Sequence, residues 1–285
     1  MDPRDATRRA LRLTHRIAPP LAAVAATALF DNPAPRARVW SIERDPLAQA
    51  EVRRHRVGRH QVHSYHWGDG ARPVLLVHGW QARASRWAPL AAALTAEGLS
   101  PVAFDAPGHG ESTGRSTDVP RMSEVVLHLA AQTGPLDALV AHSFGALAAT
   151  HALRQGVPAA RFVALAPVAD PEHLLQTFSE QLDLHPRVTA GVRRRIARTQ
   201  PVEDPWRALA VDRGPLDPTL PVLVIHDEQD HVVPVEHGRR MLAAHADHGR
   251  MLTTHGLDHQ RMLTSPEVIE AVVEFVVAGQ QVDGP

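Results

Sequence analysis

Ser143 stands in the run Ala141-His142-Ser143-Phe144-Gly145, between an apolar stretch (136–142) and an Ala-rich one (144–155). Small residues two places before and two after a serine mark a sharp strand-to-helix turn, because larger side chains there collide across the bend. Such a turn lifts the hydroxyl clear of the sheet and sets it at the positive N-terminus of a helix. The same residues also suit an ordinary N-cap serine; the buried run before it favours a nucleophile. A serine attacks only when a base takes its proton, so a histidine is required, held in turn by a carboxylate.

The chain has 19 histidines, so position must choose among them. His259, in "HGLDHQRML", follows the last expected strand on a Gly-containing loop that can carry an imidazole back over the sheet edge. His255 competes, but it lies at the strand end, where it is less free to reach across. For the carboxylate, "VLVIHDEQDHVVP" (222–234) offers Asp227, Glu228 and Asp230. Asp227 follows the strand directly and is expected to brace the turn. Asp230 lies further out and is chosen, with Asp227 or Glu228 next in line. The developing oxyanion needs two backbone N–H donors. Phe144, after the serine, is one; Trp80, after the tight turn His78-Gly79, is the other. His78 itself is read as a turn histidine bonded to nearby backbone. Phe144, Phe178 and Trp206 are candidates for an apolar acyl pocket of the kind small ligands favour.

These residues need a frame that brings them together. Apolar runs at 72–80, within 99–112 (ended by a Pro/Gly-rich loop), at 136–143, 160–167, 220–230 and, more weakly, 249–256 suit parallel strands covered on both faces. Segments 38–45 and 61–68 carry β-branched and aromatic residues near alternation and read as antiparallel strands. Helical spacing occupies 84–97, 120–133, 144–155, 235–245 and 266–278 between them, so βαβ crossovers follow. No good strand lies between Pro167 and Leu220. Helical patterns at 171–182, 185–200 and 204–209 there read as an insertion at the sheet end where ligands bind. Segment 6–30 reads as a helix pair packed on the domain. An atypical export signal is its alternative, weakened by Pro19-Pro20 and by Asp2 and Asp5.

The order "HGW" (78–80), "FDAPGHGES" (104–112), "AHSFGA" (141–146), "HDEQDHVVP" (226–234) and "GLDHQRML" (256–263) resembles the α/β-hydrolase superfamily over about residues 60–280. The resemblance implies a mostly parallel eight-stranded sheet flanked by helices, with a small helical cap between strands 6 and 7. The expected organisation is then an N-terminal helical segment (1–34), a core (35–167 and 221–285) and a cap (168–220). It further implies acyl transfer to water through an acyl-enzyme on Ser143, Asp230 and His259, without cofactor or metal. Two departures stand out. Ala141 replaces the first elbow glycine, and Trp80-Gln81-Ala82-Arg83 lacks the proline common in haloalkane and epoxide members. Those members attack with aspartate, which Ser143 also argues against.

Composition narrows the rest. A formal net charge of −1 points to no nucleic-acid partner and no polybasic membrane patch. No cysteine is present, which excludes disulfides and a thiolate nucleophile. His60, His63 and His66 are spaced three apart, so a strand would point them to alternate faces, and no H-E-x-x-H occurs; no metal is expected. No segment is long and uninterrupted enough to span a bilayer. The expectation is a cytoplasmic hydrolase of short or medium carboxylic esters. A thioesterase, an acyltransferase or a non-catalytic binding protein on the same scaffold are the alternatives. Oligomeric state is left open.

Overall fold

The computed structural model describes residues 3–213, 216–245 and 247–278. Eight strands form one sheet: β1 (Glu51–Val57), β2 (His60–His66), β3 (Pro73–Val77), β4 (Ser100–Asp105), β5 (Ala138–His142), β6 (Phe162–Leu165), β7 (Val222–Asp227) and β8 (Gly249–Thr254). Their order is β1-β2-β4-β3-β5-β6-β7-β8. The β1–β2 and β2–β4 pairs are antiparallel and all the others parallel. Strands β3 to β7 are buried along their whole length, which is why their sequences are continuously apolar rather than alternating.

Helices α1 (Pro3–Ile17) and α2 (Pro19–Phe30) precede the sheet. On one face lie α3 (Ser41–Ala48), α4 (Ala88–Ala96) and α12 (Pro266–Val277). The opposite face carries α5 (Val119–Thr133), α6 (Phe144–Arg154) and α10 (Val235–Ala244). Each face has its own core: Trp87, Leu94, Val272 and Phe275 on the first, Met122, Leu129, Leu147 and Met241 on the second. Between β6 and β7 stand α7 (Pro171–Leu182), α8 (Pro186–Thr199) and α9 (Pro205–Ala208); a single turn, α11 (Asp258–Arg261), follows β8.

One local expectation is corrected, and one strand stands where none was expected. Residues 38–45 form no strand: from Ser41 the chain is helical. Glu43 decides this. Its carboxylate accepts from the Trp40 backbone N–H (2.9 Å) and the Ser85 hydroxyl (2.7 Å) and pairs with Arg86, so the first turn is capped by a fully buried side chain. Strand β1 shows no sequence signal because it is an edge strand, exposed except at His55 and Val57, and its charged residues carry no apolar period.

Sheet order also fixes where a site can form. β3 pairs with β4 on one side and β5 on the other, so the chain reverses its direction of travel across the sheet there. Loops leaving β3 and β5 diverge and open a crevice at their C-terminal ends. Above it, the N-terminal and inserted helices share one apolar cluster: Leu11, Ala22 and Ala26 pack with Leu175, Val192, Ile196 and Trp206. A Cβ on Gly191 would lie 2.6 Å from that of Ala23, so α2 and α8 approach almost backbone to backbone. Arg8 donates to the Gln181 carbonyl (2.7 Å) and Arg12 pairs with Asp183. Among the described residues no helix is long and apolar enough to cross a membrane.

Candidate active site

Ser143 stands between β5 and α6 with φ +54° and ψ −122°, a backbone that L-residues avoid at a cost of about 1–3 kcal/mol. Packing imposes it. A Cβ on Gly145 would lie 2.5 Å from the His78 carbonyl oxygen and 2.6 Å from that of Val77, so the turn presses α6 against the end of β3. A Cβ on Gly79 would stand 3.0 Å from that of Ser143, so the loop after β3 also runs beside the serine. Small residues at both places are a steric requirement.

The three expected side chains meet. Ser143 Oγ lies 2.9 Å from His259 Nε2, and His259 Nδ1 lies 2.7 Å from Asp230 Oδ2. All three are buried, with exposures of 6–7%. The imidazole therefore carries its proton on Nδ1, toward the carboxylate, and keeps Nε2 free to accept from the serine. Asp230 Oδ1 accepts from the backbone N–H groups of Val232 (2.8 Å) and Val233 (2.9 Å). Burial alone raises its pKa, but hydrogen bonding to His226 and His259 outweighs that and holds the carboxyl well below the usual range.

The rejected alternatives take other places. Asp227 is fully buried and accepts from Thr254 Oγ1 and Leu257 N, both at 2.9 Å, so it ties the acid-bearing loop to the histidine-bearing one. Glu228 and His255 face each other at 3.4 Å on the surface. His78 donates from Nδ1 to the Gly79 carbonyl (2.7 Å) and accepts at Nε2 from the Ala106 N–H (3.0 Å), clamping the loops after β3 and β4. On the first hairpin, His55 and His66 share the hydroxyl of Ser64, at 2.6 and 2.7 Å. Among the described residues no three side chains gather as metal ligands.

Trp80 and Phe144 adjoin, with ring centroids 5.3 Å apart in an edge-on contact. Neither backbone N–H has an acceptor among the described residues. Both flank Ser143, and the Phe144 amide opens α6. A cavity of about 720 Å³ begins here. Phe144, Phe178 and Trp206 all line it, as do Leu174 and Leu209.

Some residues of this neighbourhood are not among those the sequence singles out for a site. Thr7, Leu29, Phe30 and Asp31, from the N-terminal helices, line the same cavity. Asp31 is pushed up to about 6, first by burial and then by the Asp118 charge. His142 packs on His259, centroids 4.7 Å apart, and donates from Nε2 to the His259 carbonyl (2.9 Å). Asp105, fully buried, accepts from the Ala84 and Glu111 N–H groups (2.8 Å each) and organises "FDAPGHGES". Only the small-residue requirement and the Pro/Gly-rich loop hinted at these contacts.

The chain belongs to the α/β-hydrolase superfamily, in the family whose model is described as serine aminopeptidase, S33, which matches residues 69–216. A second model, described as TAP-like protein, matches residues 197–283. Solved structures share the fold. One is a membrane phospholipase A described as a bacterial virulence factor, with 19% identity over 85% of this chain and 90% of that one (TM-score 0.62). Another is α/β-hydrolase domain-containing protein 10 from mouse, with 17% identity over 81% and 98% (TM-score 0.62). A third is an esterase from Rhodococcus sp. ECU1013, with 19% identity over 80% and 98% (TM-score 0.59). At these identities the likeness is one of fold. No curated protein matches the sequence significantly. As an α/β hydrolase, the chain has a general reaction class; its substrate must be argued from its own site.

Proposed function

We propose that the protein is a serine carboxylic-ester hydrolase acting on short or medium acyl esters through an acyl-enzyme. The observation that carries the reading is the unbroken relay from the Ser143 hydroxyl through His259 to Asp230, with contacts of 2.9 and 2.7 Å. Ser143 Oγ attacks the ester carbonyl carbon and its proton passes to His259 Nε2. Asp230, kept ionised, stabilises the imidazolium. The Trp80 and Phe144 N–H groups hold the oxyanion, aided by the N-terminus of α6; one such donor contributes about 10²–10³-fold in rate. Collapse expels the alcohol, which takes the proton from His259. Water then attacks the acyl-enzyme with the same histidine as base, freeing Ser143 and the acid.

The walls support an apolar acyl group. Phe144, Leu174, Phe178 and Trp206 line the cavity, and no arginine does among the described residues. A space of about 720 Å³ roofed by helices takes a small-molecule ester; the chain-length part of the proposal rests on the small cap, in which only α7, α8 and α9 stand between β6 and β7 among the described residues.

The test joins labelling to turnover. A fluorophosphonate probe is expected to label the wild type and not Ser143→Ala. A p-nitrophenyl ester panel from acetate to palmitate is expected to show turnover greatest on the shorter chains. Labelling that persists in Ser143→Ala overturns the nucleophile. Turnover confined to the longest esters overturns the chain-length reading. Turnover of thioesters or aminoacyl anilides alone overturns the ester.

A further inference from the structure

The hydrolytic reading leaves one surface unused. Helix α2, "PPLAAVAATALF", is apolar around its circumference except at the buried Thr27, whose hydroxyl donates to the Ala23 carbonyl. Its Ala22, Ala23, Ala26 and Thr27 are buried, but Leu21, Val24, Ala25, Ala28 and Leu29 on the other side stand in water. Helix α1 continues the exposed surface with Leu13, 60% exposed, and Ile17, 78% exposed. Of the nine large apolar residues exposed among the described residues, five lie between Leu13 and Leu29. Scattered singly such residues mean little, but gathered in one place they mark a contact surface.

Charge says what the surface contacts. On α1 the positions 9, 13, 16 and 17 fall at i, i+4, i+7 and i+8, so Arg9 and Arg16 flank Leu13 and Ile17 on one face. Both arginines are exposed, and neither has an acidic partner among the described residues. By contrast Arg8 and Arg12 are tied to α7 and the residue after it through Gln181 and Asp183. Asp5 is occupied by Arg8. The net charge of −1 conceals this local excess of cations.

Geometry ties the surface to the site. Leu29 belongs both to the exposed apolar face and to the wall of the cavity that holds Ser143. Val232, 52% exposed, belongs to the same wall.

We propose that the exposed face of α1 and α2 docks the protein on an anionic lipid bilayer, with its cavity turned toward the interface. Apolar side chains enter the boundary between headgroup and acyl chain, and Arg9 and Arg16 meet the headgroups. Neither helix is long enough to cross the bilayer, so the attachment is peripheral. A second copy would also bury the apolar stripe. A two-fold contact, however, sets the same patch against itself and brings unpaired arginines together, which disfavours that occupant.

The experiment is co-sedimentation of the full chain with equimolar phosphatidylcholine/phosphatidylglycerol vesicles and with pure phosphatidylcholine vesicles. Binding to the anionic vesicles is expected, weakened by salt. The quadruple variant Leu13→Ser/Ile17→Ser/Leu21→Ser/Val24→Ser should lower the partition coefficient at least about tenfold. Arg9→Glu/Arg16→Glu should remove the preference for anionic lipid. Both variants should keep the wild-type melting temperature and wild-type rates on a soluble short ester, since none of these residues lines the cavity. Wild type that binds neither vesicle overturns the proposal, as do folded variants that bind like wild type. A wild-type dimer in analytical ultracentrifugation that the serine variant turns to monomer assigns the face to a second copy. A wild type that binds vesicles without hydrolysing any ester leaves the docking intact and overturns the enzymatic reading.

Discussion

Gly145→Ala is the perturbation whose magnitude follows most directly from the structure. The added methyl would meet the His78 carbonyl oxygen at 2.5 Å and the Val77 carbonyl oxygen at 2.6 Å. Both are backbone atoms at the end of a buried strand, so no side chain can swing aside. Reaching an ordinary contact of 3.4 Å requires the elbow and β3 to part by nearly an ångström. Overpacking of this kind costs about 1–3 kcal/mol. In a domain of this size that lowers the melting temperature by roughly 2–10 °C. The same displacement moves Ser143 away from His259 and from the Trp80 amide, and a 1 Å misplacement is worth about 10²-fold in rate. The expected result is kcat on p-nitrophenyl butyrate down about 10²-fold, with Tm lowered. Gly79→Ala serves as the internal comparison. Its methyl meets Ser143 Cβ and His142 Nδ1 at 3.0 Å, contacts that small shifts relieve, so its loss should be smaller. Gly145→Ala with wild-type kcat and wild-type Tm would refute the steric account of the elbow.

Asp230→Asn should lower kcat by about 10⁴-fold with little change in fold. An Asn oxygen still accepts from Val232 and Val233, while the charge that holds the His259 tautomer is gone. Loss of less than about tenfold would reassign the acid. His78, His109 and His142 are buried, and burial pushes them down to about 4, 3 and 3. Each stays neutral in the fold while the unfolded chain protonates it below 6.5, so stability is full above that pH and falls as pH drops toward 4 and below. Each contributes up to about 1.4 kcal/mol per pH unit, and a Tm that stays flat from pH 6.5 to 4 would contradict their burial as neutral rings. Asp31 has the opposite sign. Its folded pKa of about 6 lies above the ordinary 3.8, so its contribution to stability is present at low pH and lost as pH rises through 6. Asp31→Asn should therefore raise Tm at pH 8, with the gain vanishing near pH 4; equal Tm values at both pH would count against its burial beside Asp118.

Ser143, Asp230 and His259 were legible in the sequence because local chemistry marks each one: small flanking residues, the end of a buried run, a glycine-bearing loop. The parallel strands were legible for the same reason, since burial on both faces leaves a continuous apolar run that one short window contains. Strand β1 was not, because an edge strand facing water has no apolar pattern to show. Helix α3 was misread because Glu43 acts through Ser85 and Arg86, some 40 positions away.

By itself, then, the chain's residue order determined the βαβ rhythm and where Ser143, Asp230 and His259 fall within it. Tertiary structure alone decided that the hydroxyl, imidazole and carboxylate meet within hydrogen-bonding distance, because that depends on β3 lying between β4 and β5 and on Asp227 joining two distant loops. It alone decided that α1 and α2 roof the cavity. Gly191 must meet Ala23 across more than 160 positions for that, and such a contact leaves no local period to read.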